Sequence, residues 1–255
     1  MASILVTGGT GTLGRAVVDL LVARQHDVRV ASRQARGPEA TPYALQTVDY
    51  RTGRGLVEAC AGVDAVILST RSMRGEVDRQ VVQAAKRAGG PHLIYISIVG
   101  VDRIPFGYYR MKLAAEREIE NSGLPFTILR ATQFHDLIRG LLARSARLPV
   151  MPVPRLRFQP VDVHDVAARL VELAEQAPTG RAPDFGGPEI RPLAELARLY
   201  LRATHRRRYT VQFGIPGQAY AAFRDGMHLA PEHAAGQLTF AEYLTGMAGP
   251  ALPGR

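Results

Sequence analysis

A glycine-rich segment follows the first apolar run of the chain and precedes an amphipathic one. It reads Thr7-Gly8-Gly9-Thr10-Gly11-Thr12-Leu13-Gly14, between a strand candidate at Ile4–Val6 and a helix candidate at Leu13–Arg24. A tight strand-to-helix turn needs glycine, and a pyrophosphate approaches bare backbone only where side chains are absent. Unpaired N–H groups at a helix N-terminus also bind phosphate oxygens. The segment therefore predicts a dinucleotide site formed by Gly8, Thr10, Gly11, Thr12, Leu13 and Gly14; a glycine-rich turn without a ligand is the alternative.

The second strand candidate, Val28–Ser32, ends where the adenosine ribose of such a cofactor would bind. A free ribose 2′-hydroxyl is held there by Asp or Glu, but no acidic residue occurs between Asp27 and Glu39. The sequence offers instead one hydroxyl and three guanidinium groups: Ser32, Arg33, Arg36 and Arg15. Because a guanidinium matches the geometry of a phosphate, the sequence predicts NADP(H). The alternative is that these arginines form a solvated loop edge.

Two polar positions follow the third and fourth strand candidates, Leu45–Val48 and Ala65–Ser69. Asp49 comes directly after the third, and Ser69 closes the fourth. In open α/β sheets, ligands bind outside the carboxyl ends of the strands, so both residues join the predicted cofactor site. Asp49 either accepts the adenine amino group or caps the next helix, and the sequence leaves these alternatives open.

A tyrosine and a lysine four residues apart follow the fifth strand candidate, Leu93–Ser97. In Tyr108-Tyr109-Arg110-Met111-Lys112, the phenol of Tyr108 and the ammonium of Lys112 share one helical face. A phenol beside an ammonium ionises more easily and can give and recover a proton, while the ammonium can hold ribose hydroxyls. Ser97 can polarise a substrate oxygen. The pattern predicts carbonyl reduction with Ser97, Tyr108 and Lys112 as catalytic residues; Tyr109 is the alternative phenol.

Composition excludes several classes of protein. The 255 residues are 46% hydrophobic and 22% charged, which is typical of a globular chain and not of a disordered or coiled-coil one. No apolar run approaches the roughly 18 residues that cross a bilayer, which predicts a cytoplasmic protein without a membrane partner. The single Cys60 excludes an internal disulfide and a cysteine metal site, and no metal is expected. Lys86 and Lys112 are the only lysines, against 32 basic residues, so a lysine within a motif is informative.

Short β-branched runs alternate with helix-length segments through the first half of the chain. With Thr127–Arg130 as a sixth strand, this alternation predicts an α/β fold with a doubly wound parallel sheet, the Rossmann type. Further helix candidates are Gly53–Cys60, Val77–Ala88, Tyr109–Asn121, Val161–Gln176 and Arg191–Thr204. We expect residues 1–131 to form the dinucleotide-binding core, with the chain returning to it around 156–187. Residues 132–155 and 188–255 are then a smaller substrate-side lobe.

Six segments together resemble the NmrA-like branch of atypical short-chain dehydrogenases/reductases: Thr7–Gly14, Gly62–Val66, Tyr95–Gly100, Tyr109–Lys112, Glu116 and Ser122–Arg130. The resemblance covers about residues 1–175. It implies a Rossmann core with a small substrate-side lobe and assigns cofactor binding to Gly8, Gly11, Gly14, Arg33 and Lys112. Members of the branch include quinone and phenylpropanoid-type reductases, and also NADP(H)-binding regulators without known turnover. The chain departs from the branch after Arg130, where Ala131 replaces the usual proline.

The residues after the sixth strand, Gln133, Phe134 and His135, lie where a substrate is expected and are predicted substrate contacts. Taken together, the sequence predicts an NADPH-dependent reductase that delivers hydride to a carbonyl or quinone/enone-like small molecule. A different class of function, an NADP(H)-binding redox sensor without turnover, is the alternative. The basic run Arg206–Arg208 has no interleaved aromatic residues, so no nucleic-acid partner is expected. The oligomeric state does not follow from the sequence.

Overall fold

A computed structural model describes residues 1–33, 41–70 and 76–248. Its strands are β1 (Ser3–Thr7), β2 (Asp27–Ser32), β3 (Ala44–Thr47), β4 (Ala65–Leu68), β5 (His92–Ile98), β6 (Phe126–Ala131), β7 (Val150–Pro154), β8 (Arg157–Phe158), β9 (Gly180–Arg181), β10 (Arg191–Pro192) and β11 (Tyr209–Phe213). Its helices are α1 (Thr12–Ala23), α2 (Leu56–Cys60), α3 (Glu76–Arg87), α4 (Gly107–Glu120), α5 (His135–Ser145), α6 (Val163–Ala174), α7 (Leu193–Ala203), α8 (Gln218–Arg224) and α9 (Phe240–Ala248).

Seven parallel strands form the central sheet in the order β3-β2-β1-β4-β5-β6-β9. The order reverses between β1 and β4, which is the switch point where doubly wound sheets bind their ligands. This sheet confirms the predicted fold class. The carboxyl ends of β1, β2, β4 and β5 lie along one edge, so the residues that follow these strands are brought together there.

The core lies on both faces of the sheet because successive strand residues point to opposite sides. On one face, α1 and α6 pack over Ile4, Val6 and Ile94. On the other, α2, α3 and α4 pack over Leu5, Val66 and Tyr95. The face that carries α3 and α4 therefore holds the predicted Tyr108 and Lys112.

A separate apolar cluster forms between α5, α7, α9 and β7. Two small ladders flank it, with β7 paired to β11 in parallel and β8 to β10 antiparallel. The division into residues 1–131 with a return around 156–187, and a lobe of 132–155 and 188–255, stays a prediction. Within the described residues, no helix is long and apolar enough to cross a membrane.

One predicted helix begins later than expected. The candidate Gly53–Cys60 becomes α2 at Leu56, because Gly53 and Gly55 have φ of 77° and 79° and cannot continue a right-handed helix. Tyr108 lies inside α4, which begins at Gly107, one residue before it.

Candidate functional site

The turn between β1 and α1 has no room for side chains at two of its glycines. Gly8 has φ of 70°, and a Cβ there would lie 2.8 Å from the Ser69 carbonyl oxygen. A Cβ on Gly14 would lie 2.1 Å from the Gly8 carbonyl oxygen. Both distances are below van der Waals contact, so this close backbone turn requires glycine at both positions.

The N-terminus of α1 is built to receive an anion. Its N-cap is Gly11, whose lack of a side chain leaves the first N–H groups uncapped, and no acidic residue occupies the first turn. Thr10 and Thr12 are exposed beside it, whereas the Leu13 side chain packs into the core and leaves only its backbone facing the turn. A bare turn and an uncapped helix dipole fit a pyrophosphate.

The predicted adenosine side lies at the end of β2. Ser32 is half-buried and Arg33 is exposed there, while Arg36 lies outside the described residues. The hydroxyl of Tyr50 donates to the Ala31 carbonyl at 3.2 Å, and burial raises its pKa to about 12. Tyr50 was missed by the sequence analysis because nothing in its local pattern marks it.

Asp49 does not cap α2, whose N-cap is Gly55. Its carboxylate accepts the Thr52 hydroxyl at 2.8 Å and the Arg51 amide at 2.9 Å. These two hydrogen bonds, with that of Thr52 the stronger influence, lower the pKa of Asp49. Asp49 therefore closes the turn before α2, and adenine contact stays a prediction.

Ser69 closes the other side of the glycine turn. Its hydroxyl donates to the Thr7 carbonyl at 2.6 Å, which ties the end of β4 to the end of β1. The half-buried side chain therefore shapes the turn from the sheet side.

Lys112 is buried with few partners. The residue is 7% exposed, and its ammonium donates to the Ile96 carbonyl at 2.8 Å and lies 4.3 Å from the ring centroid of Tyr95. In the described part of the chain no carboxylate oxygen lies within 4.0 Å of Lys112 Nζ. Burial lowers the pKa of Lys112. An ammonium has three N–H donors, and the Ile96 carbonyl accepts from one of them. The other two fit the hydroxyls of a bound ribose.

The two tyrosines of α4 have different surroundings. Tyr109 is 5% exposed and packs edge-on against Phe106 and Phe223, at centroid distances of 6.1 and 5.6 Å. Its hydroxyl contacts the amide of Gln133, and burial raises its pKa to about 12. Tyr108 is only half-buried, in the first turn of α4 and four residues before Lys112. The geometry therefore favours Tyr108 over Tyr109 as the phenol that a substrate can reach.

Ser97 shares a face of β5 with Tyr95 by strand alternation. The residue is 3% exposed, and among the described residues no group hydrogen-bonds its Oγ. A buried hydroxyl without a partner is costly, so it is expected to find one when a ligand binds.

The three predicted substrate residues diverge. Gln133 is buried beside Tyr109, with its Nε2 3.5 Å from the His228 carbonyl. Phe134 packs against the core on the α1 and α6 face. His135 is fully buried against α9, where its Nε2 lies 3.0 Å from the Leu238 carbonyl and its ring stacks on Tyr243. The structure therefore does not bring His135 to the other site residues.

A buried ion pair, which the sequence analysis did not identify as such, anchors α4 to the sheet. Glu116 is 0% exposed and receives both Nε and Nη2 of Arg130 on β6, at 2.9 and 2.7 Å. Arg130 also pairs with Asp102, and hydrogen bonding and charge at Glu116 raise the pKa of Arg130 despite burial. Because Lys112 lies one turn before Glu116, this pair fixes the helix that carries the site.

An open cleft of about 580 Å³ lies beside the first turn of α4. Its walls are mainly apolar and include Phe106, Ile215 and Phe223, with the exposed Arg110 at one side. Phe223 connects the cleft to the site because it also contacts Tyr109. A cleft of this size accommodates a small organic molecule.

The sequence matches characterised reductases. The NAD(P)H-binding family matches residues 8–177. A (4-alkanoyl-5-oxo-2,5-dihydrofuran-3-yl)methyl phosphate reductase of Streptomyces griseus subsp. griseus is 32% identical over 193 residues, covering 73% of this chain and 68% of that protein. An NAD(P)H azoreductase of Xenophilus azovorans is 28% identical over 212 residues, covering 80% of this chain and 74% of that protein.

Solved structures show the same fold. An NADPH-dependent quinone oxidoreductase of Escherichia coli, complexed with NADPH, aligns with a TM-score of 0.80 at 20% identity over 96% of this chain and 99% of that one. A triphenylmethane reductase of Citrobacter sp., complexed with NADP(H), aligns with a TM-score of 0.77 at 20% identity over the same shares, 96% and 99%.

The site geometry and the family match agree on one cofactor class. The matched residues 8–177 include the glycine turn, the uncapped N-terminus of α1 and Lys112. The relatives of the chain include reductases, which indicates a general reductase role. They also confirm the predicted nicotinamide cofactor and the family resemblance seen in the sequence. The chain therefore belongs to the NAD(P)H-binding family.

Proposed function

We propose that the protein is an NADPH-dependent reductase of the short-chain dehydrogenase/reductase type, acting on a carbonyl or quinone/enone-like small molecule. The observation that carries this proposal is the buried Lys112 ammonium, which makes one hydrogen bond within the described part of the chain and lies one turn from Tyr108. The names of the relatives, a dihydrofuranyl methyl phosphate reductase and an azoreductase, support an acceptor that is small and unsaturated.

Each residue of the site has a separate task. The N-terminus of α1 binds the pyrophosphate, and Lys112 binds ribose hydroxyls next to the nicotinamide. Bound NADPH supplies the hydride. Tyr108 donates a proton to the substrate oxygen, and Ser97 polarises that oxygen with a hydroxyl that has no hydrogen-bond partner among the described residues. The apolar walls formed by Phe106 and Phe223 contact a flat substrate in the open cleft.

Turnover of NADPH separates this proposal from a redox sensor. The purified protein is expected to oxidise NADPH when given some member of a panel of quinones, enones and ketones, followed by the loss of NADPH absorbance. A control without acceptor measures background oxidation. A sensor would bind NADPH without oxidising it. The reductase proposal would be contradicted if no acceptor of the panel caused NADPH oxidation and a protein partner bound in a way that depends on the redox state of the cofactor.

Arg33 is expected to give a preference for NADPH over NADH. Arg33 is exposed and directly follows β2, where its guanidinium can pair with the 2′-phosphate, and no acidic residue lies in the described part of that turn to hold a free 2′-hydroxyl. A charge-assisted contact of roughly 1.5–3 kcal/mol corresponds to about ten- to a hundred-fold in Kd. Titration of both cofactors measures the preference. Arg33→Asp should remove the preference for NADPH, and Arg29→Gln, on β2 itself, serves as the control. Equal affinities of the native protein for NADPH and NADH would contradict the assignment of Arg33.

A further inference from the structure

A buried carboxylate near Lys112 takes no part in the proposed hydride and proton transfer. Asp78, on the first turn of α3, is 4% exposed. One carboxylate oxygen accepts the Thr70 hydroxyl at 3.0 Å, and the other accepts the Tyr95 hydroxyl at 3.3 Å. Ionised carboxylates are rarely buried to this extent unless a charge or a set of hydrogen bonds compensates them. The two hydroxyls supply part of that compensation.

Tyr95 lies between this carboxylate and Lys112. The ring is fully buried on β5, its hydroxyl donates to Asp78, and its face lies 4.3 Å from Lys112 Nζ. A cation over an aromatic face is attracted by the ring quadrupole, and the attraction is larger where water is excluded. A phenol that donates to a carboxylate has a more electron-rich ring. The Tyr95 ring, through its hydrogen bond to Asp78, therefore stabilises the charged form of Lys112.

We propose that Asp78 and Tyr95 are positioning residues for Lys112: Asp78 supplies the buried counter-charge, and Tyr95 supplies the surface on which the ammonium rests. The proposal rests on the proposed role of Lys112 in binding the cofactor ribose. It extends that role by naming what keeps an ammonium charged and in place at a buried position before any cofactor arrives.

The charges around Lys112 support Asp78 as the main counter-charge. Asp78 faces it from α3, Glu116 from α4 and Tyr95 from β5, and Tyr108 lies near Tyr95. Glu116 is already paired with Arg130 through two hydrogen bonds, so most of its charge is neutralised. Burial lowers the pKa of Lys112, and Asp78 is the strongest influence that raises it. Removing the Asp78 charge should therefore lower the pKa of Lys112 further.

The lysine content of the chain makes this directly measurable. Protein labelled with ¹³C-lysine contains only Lys86 and Lys112, and the exposed Lys86 on α3 is an internal reference. Lys86→Arg assigns the two Cε resonances. In a pH titration without cofactor, Lys112 of Asp78→Asn is expected to titrate at least about one pH unit below native Lys112, while Lys86 stays unchanged. An unchanged Lys112 titration would overturn the proposal.

The matched control is Asp162→Asn. Asp162 is also a buried aspartate at a helix N-terminus, but it caps α6, which packs on the opposite face of the sheet. Loss of this cap is expected to lower Tm without moving the Lys112 titration. If Asp162→Asn and Asp78→Asn shift Lys112 equally, the effect is general destabilisation and the proposal fails.

Variants of Tyr95 test the proposal independently, also in the case that Asp78→Asn does not fold. Tyr95→Phe keeps the ring under the ammonium and removes the hydrogen bond to Asp78, whereas Tyr95→Leu removes the ring. We expect Tyr95→Leu to raise the Kd for NADPH at least about five-fold, and Tyr95→Phe to raise it less. Equal effects would contradict the role of the ring. If the titrations shift as expected but NADPH binding is unchanged in every variant, the pairing stands and the proposed role of Lys112 fails.

Discussion

Tyr108→Phe is expected to lower kcat about a hundred-fold or more while leaving the Kd for NADPH unchanged. The substitution removes only the hydroxyl, and loss of a general acid typically costs that factor. Tyr108 is half-buried and lies one helical turn from Lys112, so its hydroxyl is placed to reach a substrate that enters over the first turn of α4. Steady-state kinetics with a quinone or enone acceptor and a fluorescence titration with NADPH measure the two quantities.

Tyr109→Phe is the matched control for Tyr108. The Tyr109 hydroxyl contacts Gln133 inside the aromatic cluster, and burial raises its pKa to about 12, which makes it a poor proton donor near neutral pH. We expect kcat to fall less than about ten-fold. If Tyr109→Phe is the more damaging change, the tyrosine assignment is reversed. If neither substitution matters, the proton comes from another residue or from water.

Lys112→Met is expected to damage cofactor binding and turnover together. Methionine retains much of the side-chain volume but cannot bind ribose hydroxyls, so the Kd for NADPH should rise about ten- to a hundred-fold, with at least a comparable fall in kcat/KM. Lys86→Met, on the exposed face of α3, is the control and should change neither quantity. Native affinity in Lys112→Met would show that the ammonium has no part in binding.

The same substitution is expected to lower Tm, because it leaves the buried Asp78 carboxylate without its counter-charge. Burial lowers the pKa of Lys112 in the folded protein. Between the folded and unfolded pKa values, the unfolded chain therefore binds more protons, and stability rises with pH. Below that window the ammonium is charged in both states and Asp78 is its counter-charge in the folded protein, so Lys112→Met removes the charge that compensates a buried carboxylate. An unchanged or higher Tm at neutral pH would contradict the pairing with Asp78.

The fold follows from local patterns in the sequence where elements are long and regularly buried. The apolar runs at β1, β4 and β5 and the amphipathic α1 and α6 were predicted to within about three residues. The glycine turn was also predictable, because its residue types leave few other conformations. The start of α2 was not, since two glycines with positive φ lie inside an otherwise helical pattern.

The elements that were missed lack a local signal. β7 contains Pro152 and Pro154, which disfavour strand, and β11 is exposed along its whole length. Their parallel pairing joins segments that are distant in sequence. One residue of the site likewise has no local signal in the sequence. Asp78 resembles an ordinary acidic residue at a helix N-terminus, and only the packing of α3 against β5 brings it to Tyr95.

His135 shows how position after a strand can mislead. It follows β6 closely, but the chain turns into α5 at that residue and carries the imidazole against Phe240 and Tyr243 of α9. Burial lowers the pKa of His135, so it stays neutral at neutral pH. Gln133, two residues earlier, remains beside Tyr109.

A crystal structure of the protein with NADP(H) bound tests the central assignment most directly, through the distance from Lys112 Nζ to the nicotinamide ribose hydroxyls. We predict that this distance is a hydrogen-bond distance of about 2.6–3.2 Å, with the pyrophosphate on the N-terminus of α1 and the nicotinamide facing Ser97 and Tyr108. A bound cofactor whose nicotinamide ribose does not contact Lys112, while the ammonium stays on the Ile96 carbonyl, would contradict the account.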